Sequence, residues 1–345
     1  MNDASKTNNP FASLAPDKAL ETFIMGEAIS RCLQVLAKLL IADRLSQSPE
    51  TAEVLARETS THAPSLYRVL RTVASVGVFR EDEQGRFHMT PTAELLRTDV
   101  PNSMQPWLVL RGEEWHRSSW NKLHATVATG NTAFNIAHDE GLFDYLKHDT
   151  DAATIFNKAM AATKGFTQAI VDAYDFSDTR KIIDVGGGYG SLLSAILQKN
   201  PHLQGILYDT KKVTGQAKDG IEAAGLTSRC EIIAGDFFTE VPAGADTFLL
   251  RRIIHDWDDE KSIKILTNCR QVMNADDKLL LAETIIEPGN ALSPGKFYDI
   301  DMMVMVGGLE RTVDEYAALF EKSGLTLTNV VPTESNMSVL ESRPK

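Results

Sequence analysis

The chain has few cysteines and no long apolar run. Its 345 residues include three cysteines, Cys32, Cys230 and Cys269, which are odd in number and widely spaced. This spacing indicates neither a disulfide framework nor a zinc cluster, and a reducing cytoplasm is the expected location. No apolar segment reaches membrane-spanning length. Residues 1–10 are polar and lack the apolar core of a signal peptide, so we expect none.

Basic residues are also scarce relative to acidic ones. The chain contains 35 lysines and arginines against 47 aspartates and glutamates, which gives a formal net charge of −12. Binding to nucleic acid or to an anionic membrane needs clustered lysine and arginine. We therefore expect neither as a partner. The length is sufficient for two domains.

The N-terminal part of the chain has a mainly helical pattern. We expect residues 1–15 to be disordered and residues 16–100 to form the first domain. From Pro16 to Ala42, apolar residues recur at helical spacing over a wide face. Such a face predicts a helix that is covered on several sides, with a second chain as a candidate cover.

Residues 50–97 have the order helix, turn, helix and hairpin. Helices are predicted at Thr51–Glu58 and Ala63–Val76, and two strands at Val78–Arg80 and Arg86–Met89. Together they predict a winged helix-turn-helix. This motif is compatible with DNA binding and with a structural or dimerisation module. We favour the second interpretation, because the C-terminal half carries the features of a complete enzyme.

The remainder divides into a helical region and an α/β region. Residues 101–175 are predicted to be helical and rich in aromatic side chains, some of which could line a pocket for a flat substrate. Over residues 176–345, apolar strands alternate with helical segments, which predicts a doubly wound, Rossmann-like α/β domain. The strands are expected at Ile182–Val185, Gln204–Tyr208, Cys230–Ala234, Ala245–Leu250, Lys278–Glu283, Leu325–Val331 and Met337–Ser342.

A glycine-rich turn follows the first of these strands. Its sequence is Asp184-Val185-Gly186-Gly187-Gly188-Tyr189-Gly190, and a helical segment begins directly after it. Glycines in such a turn let the backbone approach a ligand with no Cβ between them. NAD enzymes use a related pattern, so the turn alone is weak evidence. Its spacing and its leading carboxylate suit a cofactor that has an amino-acid tail and no phosphate, which favours S-adenosylmethionine over NAD.

Two aspartates follow at the ends of the next two strands. Asp209 lies about twenty residues beyond the glycine turn, where a carboxylate can accept hydrogen bonds from both ribose hydroxyls. Its alternative role is to cap the next turn. Asp236 could accept from an adenine amino group while Phe237 covers the ring. The carboxyl ends of parallel strands are where ligands bind in such sheets.

A histidine and two glutamates form a candidate catalytic group. His255 lies just past the fourth strand and could act as a general base, because an imidazole has an unperturbed pKa near neutrality. A surface histidine at a helix start is the alternative. Glu283 ends the fifth strand, and Glu310 lies close behind a Gly-Gly pair. A carboxylate on one imidazole nitrogen fixes the tautomer, so that the other nitrogen can take a proton. Glu310 could instead be an ordinary acid at a helix N-terminus.

In combination, these motifs resemble the class I S-adenosylmethionine-dependent O-methyltransferases of small molecules. That family includes the plant caffeate and isoflavone enzymes, hydroxyindole O-methyltransferase, and bacterial polyketide and phenazine tailoring enzymes. The resemblance extends over nearly the whole chain from about residue 20. The motifs are Asp184-Val185-Gly186-Gly187-Gly188-x-Gly190, Gly235-Asp236-Phe237-Phe238-x-x-Val241-Pro242, His255-Asp256-Trp257-x-Asp259 and Gly307-Gly308-x-Glu310-Arg311-Thr312.

The resemblance implies roles for individual residues. In the family, the histidine is the base and two glutamates matching Glu283 and Glu310 hold it. Members form homodimers through the N-terminal region. The expected cofactor-binding residues are Asp184, Gly186, Gly188, Gly190, Asp209, Asp236, Phe237, Arg251 and Trp257. The expected substrate-binding residues are Phe156, Met160, Asp256, Met302, Met303 and Met305.

The chain departs from the family pattern at two places, which concern the substrate and one cofactor contact. The family often has lysine where this chain has Arg251, which leaves the contacts of Arg251 and Arg252 open. Asp209-Thr210-Lys211 and the methionine-rich segment Met302–Met305 point away from a plant phenylpropanoid enzyme.

The sequence thus predicts methyl transfer to the hydroxyl of a small aromatic secondary metabolite, with His255 as base. No metal is expected, because a carbon activated by positive sulfur needs only position and a base. A winged-helix regulator that senses a small molecule is one alternative. A relative that uses the cofactor for hydroxylation or decarboxylation is another, and the complete set His255, Glu283 and Glu310 argues against it.

Overall fold

The computed structural model describes Phe11 and residues 13–162 and 164–345. Most of the segment 1–15, predicted to be disordered, therefore lies outside the described residues. The chain divides into two compact units. Residues 125–133 and 165–345 form the sheet unit, and the described residues 11–124 and 134–164 form the helical unit. The predicted region 101–175 contributes to both units, and the domain boundaries stay a prediction.

The helical unit combines helices with a small antiparallel sheet in the order β1-β3-β2. Its elements, in chain order, are α1 (Pro16–Lys38), α2 (Ile41–Leu45), β1 (Glu50–Thr51), α3 (Ala52–Thr59), α4 (Ala63–Ser75), β2 (Phe79–Glu81), β3 (Arg86–Met89), α5 (Pro91–Glu94), α6 (Gln105–Gly112), α7 (Glu114–Trp120), α8 (Leu123–Thr129, partly in the sheet unit), α9 (Ala133–His138), α10 (Leu142–His148) and α11 (Thr150–Ala161).

The predicted winged helix is confirmed. The apolar face of α4 is buried at Leu66, Leu70 and Val73. The hairpin of β2 and β3 turns tightly because the Asp82 carboxylate accepts hydrogen bonds from backbone N–H groups within its loop. The structure adds β1, a two-residue strand that pairs with β3. Its length is too short for a sequence pattern to reveal.

The predicted helix from Pro16 to Ala42 is interrupted. α1 ends at Lys38, and Leu40 has a left-handed backbone (φ 56°) from which α2 begins. The apolar spacing continues across the break because α2 is buried in the same core. The N-terminal half of α1 leaves four apolar side chains more than half exposed. They are Leu20, Phe23, Ile24 and Met25.

The sheet unit contains a seven-stranded sheet in the order β6-β5-β4-β7-β8-β10-β9. Its elements, in chain order, are α12 (Lys164–Ala173), β4 (Lys181–Val185), α13 (Ser191–Lys199), β5 (Gln204–Asp209), α14 (Lys211–Ala223), β6 (Cys230–Ala234), β7 (Thr247–Arg251), a 3₁₀ turn (Ile254–Asp256), α15 (Asp259–Gln271), β8 (Lys278–Thr284), α16 (Pro294–Met305), α17 (Val313–Lys322), β9 (Leu325–Pro332) and β10 (Met337–Pro344).

This doubly wound fold is confirmed, and each predicted strand is present. Strands β4 to β8 run parallel, whereas β10 is antiparallel to both β8 and β9. The parallel strands are apolar runs because helices cover both faces of the sheet. The strand order reverses beside β4, and ligands bind at the carboxyl edge of such a reversal. Among the described residues, no helix is both long and apolar enough to cross a membrane.

Candidate active site

The glycine turn joins β4 to α13 at the reversal point of the sheet. Gly186 and Gly188 have φ angles of 72° and 59°, a backbone region that favours glycine. Around Gly188 nothing lies within 4 Å of the position that a Cβ would occupy. The turn therefore leaves open space beside Gly188, and the approach of a ligand to its backbone stays a prediction.

Asp209 ties this turn to the end of β5. Its Oδ2 accepts from the Gly188 N–H at 2.8 Å, and its Oδ1 accepts from the Thr210 N–H at 2.6 Å. Each carboxylate oxygen keeps a further lone pair for a ligand hydroxyl. The residue thus both holds the turn and presents acceptors at its edge.

Asp236 and three aromatic rings form the next part of the edge. Asp236 is exposed, and its Oδ1 accepts from the Phe238 N–H at 2.9 Å. The Phe238 ring packs edge-on against Trp257, with 4.8 Å between centroids, and against Phe237 at 4.9 Å. This arrangement places a cluster of aromatic rings, inclined at 60° to 86° to one another, next to the Asp236 carboxylate in the chain. The sequence named Phe237 and Trp257 but missed the ring of Phe238 between them.

Asp184 and Arg251 lie beneath the turn. A Cβ on Gly187 would come within 2.6 Å of the Asp184 carboxyl carbon, so the aspartate packs directly under the glycines. Burial raises the pKa of Asp184 to about 7, while Arg251 acts in the opposite direction. The Arg251 guanidinium donates from Nη1 to Thr167 Oγ1 at 3.0 Å. Asp184 therefore packs under the turn, Arg251 lies near enough to act on its carboxylate, and the predicted contact of both residues with a cofactor stays a prediction.

His255 and Glu310 form a buried pair. The histidine lies in the 3₁₀ turn after β7 and is 3% exposed. Its Nδ1 is 2.8 Å from Glu310 Oε1, and its Nε2 is 3.4 Å from Asp256 Oδ1. An ionised carboxylate can only accept, so the hydrogen lies on Nδ1 and the neutral ring keeps Nε2 as its acceptor.

Glu283 contacts the same histidine less directly than expected. Its Oε2 lies 4.0 Å from His255 Nδ1, beyond hydrogen-bond length. Its Oε1 instead accepts from the backbone N–H groups of Ile253 and Ile254, at 3.1 and 3.0 Å. These bonds hold the tight turn that follows Arg252, whose φ of 52° is uncommon for a side chain of this size. Glu283 thus fixes the backbone that carries His255.

The carboxylates control the ionisation of His255. Burial alone would lower the pKa of the imidazole, but Asp256, Glu283 and Glu310 outweigh it and raise that pKa to about 9. Burial in turn raises the pKa of Glu283 to about 7. The carboxylates around His255 therefore favour the protonated form of its ring.

The predicted substrate residues lie in three places. Asp256 faces Nε2 of His255, as described above. Met302 and Met305 are buried on α16, and Met303 is half-buried. Phe156 and Met160 belong to α11 of the helical unit. Their part in a substrate pocket stays a prediction.

Sequence reasoning missed Asp299 and Arg311. Asp299 Oδ1 accepts from the backbone N–H of Glu310 at 3.0 Å. Arg311 is the largest fully buried side chain of the described residues, and its guanidinium contacts the segment that carries His255. Arg311 stood in a quoted motif, but the carbonyls of Ile254 and Trp257 that its guanidinium contacts lie more than fifty positions earlier in the chain, so no local pattern reveals these bonds.

His255, Glu283 and Glu310 also satisfy the spacing of a metal site. One ligand atom from each lies within 4.8 Å of the others. One histidine and two carboxylates are donors that zinc accepts. The expected independence from metal thus stays a prediction.

Two family models match the chain. The O-methyltransferase domain matches residues 120–326, and the O-methyltransferase dimerisation domain matches residues 22–99. The first includes the glycine turn, His255, Glu283 and Glu310. The second includes the winged helix. Together they agree with the resemblance carried by the motifs.

Individual relatives match over almost their full length. The phenazine O-methyltransferase PhzM of Lysobacter antibioticus is 45% identical over 98% of this chain and 99% of its own. The phenazine-1-carboxylate N-methyltransferase of Pseudomonas aeruginosa is 31% identical over 95% of this chain and 98% of its own.

A solved structure adds a bound cofactor and a bound aromatic molecule to this comparison. It is an O-methyltransferase from neocarzinostatin biosynthesis in complex with S-adenosylmethionine and 2-hydroxy-5-methyl naphthoic acid. It is 28% identical, with a TM-score of 0.80 over 92% of this chain and 96% of its own. The fold, the motifs and the matches agree, and the chain belongs to the S-adenosylmethionine-dependent O-methyltransferase family, as a methyltransferase related to bacterial phenazine and polyketide tailoring enzymes.

Proposed function

We propose that this enzyme methylates a hydroxyl group of a small aromatic secondary metabolite, with His255 as the general base and without a metal ion. The observation that carries the proposal is the buried pair of His255 Nδ1 and Glu310 Oε1, 2.8 Å apart. This pair leaves Nε2 as the acceptor, next to the carboxyl edge where the glycine turn lies. A hydroxyl needs such a base, because its oxygen becomes a better nucleophile as the proton leaves.

Each residue of the pair has a distinct part in the proton transfer. His255 Nε2 takes the hydroxyl proton, and the ring becomes imidazolium. Glu310 accepts the N–H of Nδ1 throughout, which stabilises the positive charge. Glu283 keeps the turn in place through the backbone of Ile253 and Ile254. Asp256, 3.4 Å from Nε2, lies where it could orient the incoming hydroxyl.

The residues at the sheet edge fit S-adenosylmethionine. When bound, this cofactor supplies a methyl group on a positively charged sulfur. The backbone at Gly188, where no atom lies within 4 Å of a Cβ position, would let the cofactor approach closely, and Gly186 and Gly190 would shape the turn on either side of it. Asp209 would accept from the ribose hydroxyls. Asp236 would accept from the adenine amino group, with Phe237 and Trp257 beside the ring.

The acceptor would be small, flat and apolar. Methionines suit such a molecule, because their flexible thioethers adapt to aromatic surfaces. We assign this role to Met302, Met303 and Met305 of α16. Phenazine and naphthoate chemistry among the relatives supports an aromatic acceptor.

Methylation of a ring nitrogen is the second candidate. The 31% identical relative that is a phenazine-1-carboxylate N-methyltransferase favours it. An aromatic nitrogen that carries no hydrogen has a free lone pair and needs no base. Under this candidate, His255 would orient the acceptor rather than remove a proton.

We also propose a homodimer that works in the cytoplasm and binds neither nucleic acid nor membrane. Support comes from the dimerisation-domain match and from the exposed side chains of Leu20, Phe23, Ile24 and Met25 on α1. An exposed apolar patch of this kind is covered in most proteins. Light scattering at micromolar concentration should give twice the mass of 38.0 kDa. A fully active monomer would contradict the proposal.

Transfer of a labelled methyl group tests the function directly. The enzyme would be incubated with methyl-labelled S-adenosylmethionine and hydroxylated phenazines and naphthoates, each beside its analogue without the hydroxyl. We expect mass spectrometry to find a methyl ether only where the hydroxyl is present, at a rate that a metal chelator leaves unchanged. Label on ring nitrogen alone would favour the second candidate, and loss of activity with the chelator would contradict the metal-independent mechanism.

A further inference from the structure

Arg311 connects the three segments that carry His255, Glu283 and Glu310. It follows Glu310 directly in the chain and is 1% exposed. Its backbone carbonyl accepts from the Ile286 N–H at 3.0 Å, and it forms a bridge with Ile285, just beyond the strand of Glu283. Its position therefore depends on all three segments at once.

The guanidinium holds the turn that carries His255. Nη1 donates to the carbonyl of Ile254 at 3.2 Å, and Nη2 donates to the carbonyl of Trp257 at 2.9 Å. Ile254 is the first residue of the 3₁₀ turn and Trp257 follows its last, so the guanidinium holds both ends of the turn. The same group donates from Nε and Nη2 to Asp259 Oδ1, at 3.2 and 2.9 Å, at the start of α15. A planar fork with five N–H donors can make all of these bonds, whereas a lysine cannot.

The segment before Arg311 packs equally tightly on the histidine. The Leu309 N–H donates to the His255 carbonyl at 2.9 Å. A Cβ on Gly308 would lie 2.0 Å from that carbonyl oxygen, so only glycine permits this approach. Arg311 Nη1 also donates to the Leu309 carbonyl at 3.3 Å. The two segments are thus locked together through backbone groups on both sides of the catalytic pair.

We propose that Arg311 is a positioning residue that keeps His255 Nδ1 and Glu310 Oε1 at hydrogen-bond distance; this inference rests on the proposed function of the pair. The arginine touches neither reacting atom. It acts by fixing the 3₁₀ turn against the loop of Glu310. A loosened turn would let the two side chains separate, and the imidazole would lose both its orientation and part of its charge stabilisation.

The substitution Arg311→Lys tests this role, because it keeps the charge and removes the fork. Arg229→Lys is the matched control, since Arg229 also donates to three backbone carbonyls of the sheet unit, those of Leu197, Asn200 and Leu203. We expect Arg311→Lys to lower kcat about tenfold or more, within the range for misplaced catalytic groups. Its Kd for S-adenosylmethionine should stay within about twofold of wild type. Arg229→Lys should leave both quantities near wild type.

A nuclear magnetic resonance titration separates positioning from general destabilisation. The protein would carry ¹³C-labelled histidine, and the His255 signal would be assigned by its loss in His255→Ala. We expect the pKa of His255 to fall in Arg311→Lys by about half a unit or more, because the contact with Glu310 weakens. A purely structural role would lower the unfolding temperature and leave this pKa unchanged. An unchanged pKa with kcat equal to that of Arg229→Lys overturns the proposal.

A milder variant decides the matter if Arg311→Lys does not fold. Asp259 has a side chain that is 58% exposed, and Asp259→Asn removes its charge while keeping a side-chain oxygen that can accept from Arg311. We expect a smaller decrease of kcat and of the His255 pKa in the same direction. No change in either contradicts the proposal. The titration needs no acceptor, so absence of methyl transfer by the wild type would refute the proposed function without deciding the part of Arg311.

Discussion

The two parts of the proposed site differ in the chemical groups that form them and in their exposure to water. The proposed cofactor edge consists of partly exposed backbone and of carboxylates that backbone N–H groups hold, as at Gly188 and Asp209. The proposed catalytic corner consists of buried side chains, with His255 and Glu310 almost fully excluded from water. An open, backbone-built edge can bind a ligand with little electrostatic cost. Exclusion of water strengthens each charge interaction in the buried corner, so individual carboxylates there control the ionisation of His255.

The difference predicts two separable classes of variant. Changes at the cofactor edge should alter the Kd for S-adenosylmethionine, whereas changes at the corner should alter kcat and its pH dependence. A variant that changed both quantities equally would break the distinction.

The largest effect is expected for His255→Ala. Loss of a general base typically costs on the order of 10²–10⁴-fold in rate. We therefore expect kcat for a hydroxyl acceptor to fall by about that factor, with an unchanged Kd for the cofactor in calorimetry. His202→Ala, at an exposed position outside the site, is the matched control. A wild-type rate in His255→Ala would show that positioning alone carries catalysis.

Asp209→Ala should have the next largest effect, on binding. A carboxylate that accepts from two hydroxyls contributes roughly 1.5–3 kcal/mol, so the Kd should rise at least about tenfold. Asp246→Ala is the control, because that carboxylate also accepts from backbone N–H groups but precedes β7 at the opposite edge of the sheet. An unchanged Kd in Asp209→Ala would refute the ribose assignment.

The smallest effect is expected for Glu310→Gln, and it concerns pH. Because the pKa of His255 is raised to about 9, the base form increases with pH, and kcat/KM should rise until about pH 9 and then level off. Glutamine removes one of the charges that raise this pKa, so the plateau should begin at lower pH. The maximal rate should fall less than in His255→Ala. A pH profile identical to wild type would mean that Glu310 does not act on His255.

The sequence predicted the fold, and it also predicted that the glycine turn and Asp209 lie at the same edge of the sheet. The strands are long apolar runs, and the glycine turn and Asp209 occupy one local βαβ unit, so both are readable from neighbouring positions. The break at Leu40 could not be predicted from neighbouring positions, because the left-handed backbone there depends on how α2 packs. The remaining contacts join residues far apart in the chain, and only the folded structure brings them together. They are the hydrogen bonds of Glu283 with Ile253 and Ile254, and those of Arg311 with Ile254 and Trp257.

The acidity of the acceptor provides the most direct test of His255 as the base. The ratio of wild-type to His255→Ala rates would be measured for two matched acceptors, one with an ordinary phenol of pKa about 10 and one already ionised at the assay pH. We predict a ratio on the order of 10²–10⁴ for the first and a ratio close to one for the second, since the second has no proton to lose. Equal ratios for both acceptors would contradict the account.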